Sequence, residues 1–125
     1  MDAAAVDEVT DDTFADLVLG SPLPVLVDYT ADWCAPGRQQ EPVLAELARA
    51  YAGRMRFLRL DTALNPASPA DHQVTHLPTI QIYADGALTH TVRGARPKAE
   101  LIRVIEDHLD PDRPSHVPAK DECDE

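Results

Sequence analysis

The residues of this chain best suited to take part in a chemical reaction are a cysteine and its neighbours, Trp33-Cys34-Ala35-Pro36. They stand between a short apolar run rich in β-branched residues and a long segment with helical periodicity. The cysteine is therefore expected in the first turn of a helix that follows a buried strand. Unpaired backbone N–H groups and the positive end of the helix dipole both favour a thiolate there. The alternative is an inert, buried small residue, as free cysteines often are.

The second cysteine, Cys123, stands far along the chain between two pairs of acidic residues. Two cysteines are too few and too far apart to suggest a disulfide scaffold. The intervening chain is long enough for Cys123 to reach Cys34, but the adjacent carboxylates disfavour its thiolate by like-charge repulsion. We therefore predict an incidental cysteine, with an internal Cys34–Cys123 disulfide as the alternative.

Strand and helix patterns alternate along the chain up to residue 109. Helices are predicted at 10–19, 34–52, 65–73 and 97–109, and strands at 24–29, 55–61, 79–83 and 88–92, with a further edge strand around residues 4–8. Asp85-Gly86 predicts a tight hairpin between the last two strands. This order predicts an α/β fold with three layers, in which a central mixed sheet of four or five strands has helices on both faces.

Two local features refine this prediction. Thr10 is the expected N-cap of the first helix, with Asp11 and Asp12 in the first turn, where the helix dipole favours negative charge. Pro42 lies inside the long helix and is expected to kink it.

The composition separates a domain from a tail and excludes several functions. Residues 1–110 are predicted to form one domain, whereas residues 111–125 are rich in charge and proline and are predicted to be a flexible tail. The net charge of −11 argues against nucleic acid and anionic membranes as partners. It serves either solubility or a preference for basic partners. Without a signal sequence or an apolar run long enough to span a membrane, a cytoplasmic location is expected.

These residues together resemble the thioredoxin family. The family motif Trp-Cys-Gly-Pro-Cys is matched by Trp33-Cys34-Ala35-Pro36-Gly37, and the resemblance covers about residues 6–109. Val27-Asp28-Tyr29 resembles the family strand with its buried aspartate, and Arg59 stands where the family often has a lysine beside that aspartate. Pro42 resembles the proline that kinks the family's active-site helix. Leu77-Pro78-Thr79 resembles the family loop whose proline is cis and faces the cysteine, and Gly94 resembles the glycine that flanks the substrate groove. The resemblance implies the thioredoxin fold.

The resemblance also implies roles for particular residues. Cys34 is the expected nucleophile, and Asp28 is either its helper or inherited architecture. A carboxyl group in an apolar strand is expected to have a raised pKa. The residues expected to line a shallow apolar groove for substrate are Trp33, Pro36, Leu77, Pro78 and Gly94.

The chain departs from the family at two positions near the cysteine. Gly37 replaces the resolving cysteine, so the second thiolate attack that normally releases the substrate has no internal nucleophile. Thr30 stands where the family usually has an aromatic residue.

Three hypotheses follow. The leading one is thiol–disulfide exchange through Cys34 alone, with protein thiols, protein disulfides or glutathione as partners and the monomer as the working form. The second is a binding or chaperone module without covalent chemistry, and the third is an ordinary thioredoxin in which Gly37 was introduced to trap substrates.

A metal site is not expected. His72 and His76 are four residues apart, but the proline loop that begins at His76 interrupts helical spacing, and no further ligand is near in sequence. Neither a metal nor another cofactor is predicted.

Overall fold

A computed structural model describes residues 6–109 of the chain. Its elements are β1 (Asp7–Glu8), a π-helix (Ala15–Leu19), β2 (Val25–Thr30), α1 (Ala35–Ala50), β3 (Arg56–Asp61), α2 (Ala67–Asp71), β4 (Thr79–Ala84), β5 (Ala87–Arg93) and α3 (Lys98–Leu109). The predicted tail at 111–125, with Cys123, lies outside the described residues.

The strands form one mixed sheet in the order β1-β3-β2-β4-β5. β1 and β2 pair with β3 in parallel, whereas β4 pairs antiparallel with both β2 and β5. All six residues of the central strand β2 are buried, as its nearly continuous apolar sequence predicts. The α/β prediction is therefore confirmed, with five strands in the sheet.

The two faces of β2 contact different helical segments. Val25, Val27 and Tyr29 belong to a buried cluster with Phe14 and Val18 from the N-terminal segment. Because side chains alternate along a strand, Asp28 and Thr30 point to the opposite face. That is the face covered by α1, since Arg59, the register partner of Asp28, hydrogen-bonds to Glu41 of α1.

The hairpin between β4 and β5 has the predicted turn. Asp85 and Gly86 have φ angles of 54° and 80°, and they separate Ala84 from its partner Ala87. Two successive residues with positive φ make the twist of a two-residue turn match that of the strands, which explains the Asp-Gly pair.

The N-terminal helix differs from its prediction. Thr10 and Thr13 do exchange hydrogen bonds between backbone N–H groups and hydroxyls, at 2.9 and 3.2 Å. The regular segment that follows is a short π-helix, in which the Gly20 N–H donates to the Ala15 carbonyl at 2.8 Å. Asp11 accepts hydrogen bonds from the first turn of α2 instead of stabilising its own helix. That part of the prediction is wrong because a tertiary contact recruits the carboxylate.

Residues up to Ala95 form one compact unit, and a second begins at Arg96. Within the second unit, Leu101 and Ile105 of α3 are buried, and their spacing of four residues places them on one face of the helix. None of the helices in residues 6–109 is long and apolar enough to cross a membrane.

Candidate functional site

The strand register brings three loops to the same end of the sheet. Thr79, the first residue of β4, lies opposite Tyr29 near the end of β2 and opposite Arg93 at the end of β5. The loops before β4, after β5 and after β2 therefore meet there. The Gly94 N–H donates to the Pro78 carbonyl at 2.7 Å and joins the first two of these loops directly.

Cys34 is the N-cap residue of the 16-residue helix α1, with φ −87° and ψ 101°. Its N–H donates to the Ala31 carbonyl, and its own carbonyl accepts from the Arg38 N–H, both at 3.0 Å. The thiol therefore lies at the positive end of a long helix, where a negative charge is stabilised. The residue is only 6% exposed, so a partner must reach its sulfur through a small opening.

The residues predicted to form the groove differ widely in exposure. Trp33 is 70% exposed, whereas Pro78 is buried and Leu77 is half-buried. The Leu77–Pro78 peptide bond is cis. Within residues 6–109, the main chain of Leu77 makes no backbone hydrogen bond. Its N–H and carbonyl thus have no main-chain partner in that part of the chain.

Gly37 lies in the first turn of α1 directly against Thr30 of β2. A Cβ atom built on Gly37 would lie well under 3.0 Å from the Thr30 hydroxyl oxygen, closer than real Cβ atoms come to a neighbour. The same Cβ would lie 3.3 Å from the Cys34 sulfur. The Thr30 hydroxyl therefore occupies the space that a resolving side chain would need.

Asp28 is 1% exposed on the same face of β2, and its Oδ1 has no hydrogen-bond partner in the described part of the chain. Burial raises the pKa of this carboxyl to about 7, although the Arg59 charge lowers it and the Glu41 charge raises it further. The raised pKa expected from an acid in an apolar strand is therefore present. The carboxyl changes charge near neutral pH.

Arg59 of β3 binds three carboxylates around the cysteine segment. Its guanidinium donates to Glu41 of α1 at 3.1 Å, to Glu8 of β1 at 3.2 Å and to Asp32, two residues before Cys34, at 3.0 Å. A planar group with five donors can bind several carboxylates at fixed angles, which an ammonium group cannot. Arg59 thus positions the segment that carries Cys34.

Sequence reasoning did not foresee the contact of Thr30 with Gly37 or the three carboxylates on Arg59. In the sequence, Thr30 stands out only as a departure from the family. The available signal was that a small residue at position 37 coincides with a polar one at position 30.

The two candidate histidines have other contacts. His72 stacks on Phe14 with ring centroids 4.9 Å apart, and its Nδ1 lies 3.0 Å from the Ser68 carbonyl. His76 is exposed, with its Nδ1 3.0 Å from the Thr75 hydroxyl. Across residues 6–109, no three or more His, Cys, Asp or Glu side chains group so that they would hold a metal ion.

A mixed sheet with helices on both faces, and a cysteine at the N-cap of the helix after the central strand, defines an α/β protein with a candidate thiol-exchange site. The Thioredoxin family model matches residues 5–107. Thioredoxin 1 of a Nostoc species is 40% identical over 109 residues, which cover 87% of this chain and 100% of the relative. The chain belongs to the thioredoxin family, a family of thiol–disulfide oxidoreductases.

Two actinobacterial thioredoxins show similar relationships. The protein of Streptomyces clavuligerus is 43% identical over 101 residues, covering 81% of this chain and 94% of its own. The protein of Mycolicibacterium smegmatis is 42% identical over 110 residues, with coverage of 86% and 97%. The similarity therefore extends over nearly the whole length of both relatives.

Proposed function

We propose that this protein exchanges thiols and disulfides through Cys34 alone. The observation that supports this is the N-cap position of Cys34 at the start of α1, together with a glycine at position 37 whose side-chain space is taken by Thr30. The first half of the thioredoxin reaction keeps its nucleophile. The second half lacks one.

The reaction proceeds by a single exchange. The Cys34 thiolate attacks one sulfur of a partner disulfide, a new sulfur–sulfur bond forms to Cys34, and the other partner sulfur leaves as a thiolate that takes a proton from solvent. An outside thiol, such as glutathione, then attacks the mixed disulfide as its thiolate and releases Cys34. The outside thiol forms a disulfide with the captured partner sulfur, and the bond to Cys34 breaks to give the Cys34 thiolate. The outside thiol is thereby oxidised and the partner sulfur that left first is reduced, so electrons balance without a second cysteine in the protein.

The proposed partners contact Cys34 and the residues beside it. Trp33, Pro36, Leu77, Pro78 and Gly94 form the proposed apolar contact surface for an extended peptide beside Cys34, with protein disulfides, protein thiols or glutathione as partners. The protein acts as a monomer in the cytoplasm.

Asp28 serves as a helper of Cys34, because a carboxyl with a pKa of about 7 can accept a proton near neutrality.

Oxidised glutathione tests this proposal. The folded protein, the Cys34→Ser variant and the Cys123→Ser variant are exposed briefly near neutral pH, and adducts are located by intact mass and peptide mapping. We expect a fast adduct on Cys34, reversed by dithiothreitol, in the parent and in Cys123→Ser. Absence of an adduct on Cys34 in folded protein would refute the proposal.

The small exposure of Cys34 favours a second candidate, a binding or chaperone module that uses the groove without covalent chemistry. This candidate predicts equal partner affinity for the parent, for Cys34→Ser and for the parent in strong reductant. A partner that is held by the parent but released by reductant, and not held by Cys34→Ser, would eliminate it.

A further inference from the structure

The hydroxyl of Thr30 is a buried polar group whose function the fold does not explain. Thr30 is 0% exposed, and its Oγ1 makes no hydrogen bond to any residue from 6 to 109. Its main-chain carbonyl, in contrast, accepts hydrogen bonds from the Thr62 N–H at 2.9 Å and the Thr62 hydroxyl at 3.3 Å. Buried hydroxyls in proteins nearly always have a partner, so an unused one at this position needs a reason.

The surroundings of Thr30 supply that reason. The Thr30 hydroxyl oxygen and the Cys34 sulfur both lie close to one point, the position that a Cβ atom on Gly37 would take: the oxygen lies well under 3.0 Å from it and the sulfur 3.3 Å from it. Because glycine has no side chain, the Thr30 hydroxyl occupies this space beside the Cys34 sulfur. Any other residue at position 37 would displace the hydroxyl.

The chemistry of the two groups is complementary in one protonation state of the cysteine. A neutral thiol is a weak acceptor, which agrees with the absence of a hydrogen bond to the hydroxyl. A thiolate carries a full charge, and hydrogen bonds to charged groups are roughly twice as strong as those between neutral groups. The Thr30 hydroxyl, which has no partner among the described residues, can therefore donate a hydrogen bond to the ionised form of Cys34.

We propose that the Thr30 hydroxyl donates a hydrogen bond to the thiolate of Cys34, which makes Thr30 a further catalytic residue of the one-cysteine reaction. This inference rests on the proposed function, since it concerns the same nucleophile. It also links the two departures from the family: the glycine removes the resolving thiol, and the threonine uses the vacated space to stabilise the attacking one.

The other charged groups near the site are the same in the parent and in a Thr30 variant. Among them, the Arg38 guanidinium in the first turn of α1 donates to the Asp32 carbonyl at 2.7 Å. Asp28 lies on the same face of β2 and opposes a neighbouring negative charge when it is ionised. The carboxylates of Asp32 and Glu41 are bound to Arg59, and that of Asp61 accepts from the Ala63 N–H at 2.9 Å. All of them are retained in a Thr30 variant, so a comparison of variants isolates the hydroxyl.

The test measures the rate of alkylation of Cys34 by iodoacetamide as a function of pH, because the thiolate is the form that reacts. All proteins carry Cys123→Ser so that one thiol remains. Thr30→Val keeps the shape of the side chain without the hydroxyl, and Thr30→Ser keeps the hydroxyl as the matched control. Thr30→Ala replaces Thr30→Val if the valine variant does not fold. Urea unfolding and reaction with oxidised glutathione accompany each rate measurement.

The hydroxyl donor predicts that Thr30→Val reacts about tenfold more slowly than the parent near pH 7, with its pH midpoint moved upward, because a hydrogen bond to a charged group is lost. Thr30→Ser is expected to match the parent. Thr30→Val is expected to be at least as stable as the parent, since it removes a buried hydroxyl that has no partner among the described residues. Equal pH profiles for the valine variant and the parent, or the same shift in valine and serine variants, would overturn the role of the hydroxyl while leaving the reactive Cys34 in place. A parent protein whose Cys34 does not react with oxidised glutathione would instead refute the proposed function itself.

Discussion

The carboxyl group of Asp28 shows how burial alone can set the charge of a single residue. It lies on the α1 face of β2, one of its oxygens has no hydrogen-bond partner among residues 6–109, and burial raises its pKa to about 7. An ordinary aspartate has a pKa of about 3.9. Between these values the unfolded chain has released this proton and the folded chain has not. The folded state therefore binds more protons, and the free energy of unfolding falls as the pH rises.

This linkage predicts the stability of Asp28→Asn. The contribution of Asp28 is fully present below about pH 4 and is lost as the pH rises through about 7. We expect the variant to be a few kcal/mol more stable than the parent near pH 8 and to differ little near pH 4, as measured by urea unfolding at both pH values. Asp12→Asn, at an exposed aspartate, is the control. Parallel pH curves for Asp28→Asn and the parent would contradict the raised pKa.

The contact between Gly37 and Thr30 makes restoration of the resolving cysteine a two-residue problem. Gly37→Cys alone places a Cβ on the Thr30 hydroxyl and is expected to cost about 1–3 kcal/mol of stability by overpacking. Thr30→Ala in addition removes that oxygen, while the Thr30 Cβ remains at 3.3 Å. We expect only the double variant to combine near-parental urea stability with rapid formation of an internal disulfide to Cys34.

The same pair of variants tests the third hypothesis from the sequence. If Gly37 had been introduced into an ordinary thioredoxin to trap substrates, Gly37→Cys alone would restore a stable protein with dithiol turnover. Full stability and turnover in that single variant would therefore support the trap and contradict the packing argument.

At the scale of helices and strands, the elements that local patterns define were predictable from the sequence. Short, mainly apolar runs located β2, β3 and β4 to within a residue or two, and Asp85-Gly86 located the hairpin, because both signals depend on neighbouring residues. The hydrogen bonds of Asp11 to the first turn of α2 and the three carboxylates bound by Arg59 were not predictable. Their partners lie on other elements, tens of residues away along the chain, and spacing within one segment carries no information about them.

Asp11 shows how such a contact stabilises an element. Its carboxylate accepts from the Ser68 N–H at 2.8 Å and the Ala67 N–H at 3.0 Å, both in the first turn of α2. Burial opposes ionisation of Asp11, but these hydrogen bonds, that of Ser68 first, lower its pKa. The carboxylate thus caps a helix that follows it by more than fifty residues.

The prediction for Asp11→Ala is a loss of about 1 kcal/mol at neutral pH, the usual effect of removing a helix cap. Because the folded pKa is lowered, the contribution is present above the ordinary aspartate pKa and is lost as the pH falls below it. Urea unfolding at neutral and acidic pH measures both effects. Asp11→Asn keeps one acceptor and is expected to lose less, and Asp12→Ala serves as the exposed control. Equal losses in the variants at positions 11 and 12 would exclude the cap.

At the scale of the whole molecule, the charge of −11 acts on every partner that approaches Cys34. Electrostatic steering raises association rates for ligands of opposite charge and lowers them for ligands of like charge. Salt weakens this effect, since the Debye length falls from about 10 Å at 0.1 M to about 3 Å at 1 M. A charge that serves solubility alone has no such consequence at the site, so the two uses of the acidic composition are separable by experiment.

We predict that the cationic disulfide cystamine reacts with Cys34 several-fold faster than the anionic oxidised glutathione at low ionic strength. The ratio is expected to shrink as salt is added, because only the steering contribution is screened. The rates are measured by stopped flow with the Cys123→Ser protein. Each rate is divided by the rate at which a small neutral thiol reacts with the same disulfide, which removes the intrinsic difference in reactivity between cystamine and oxidised glutathione. A normalised ratio near one at all salt concentrations would assign the acidic surface to solubility. A ratio that falls with salt would direct the search for protein partners toward disulfides flanked by basic residues.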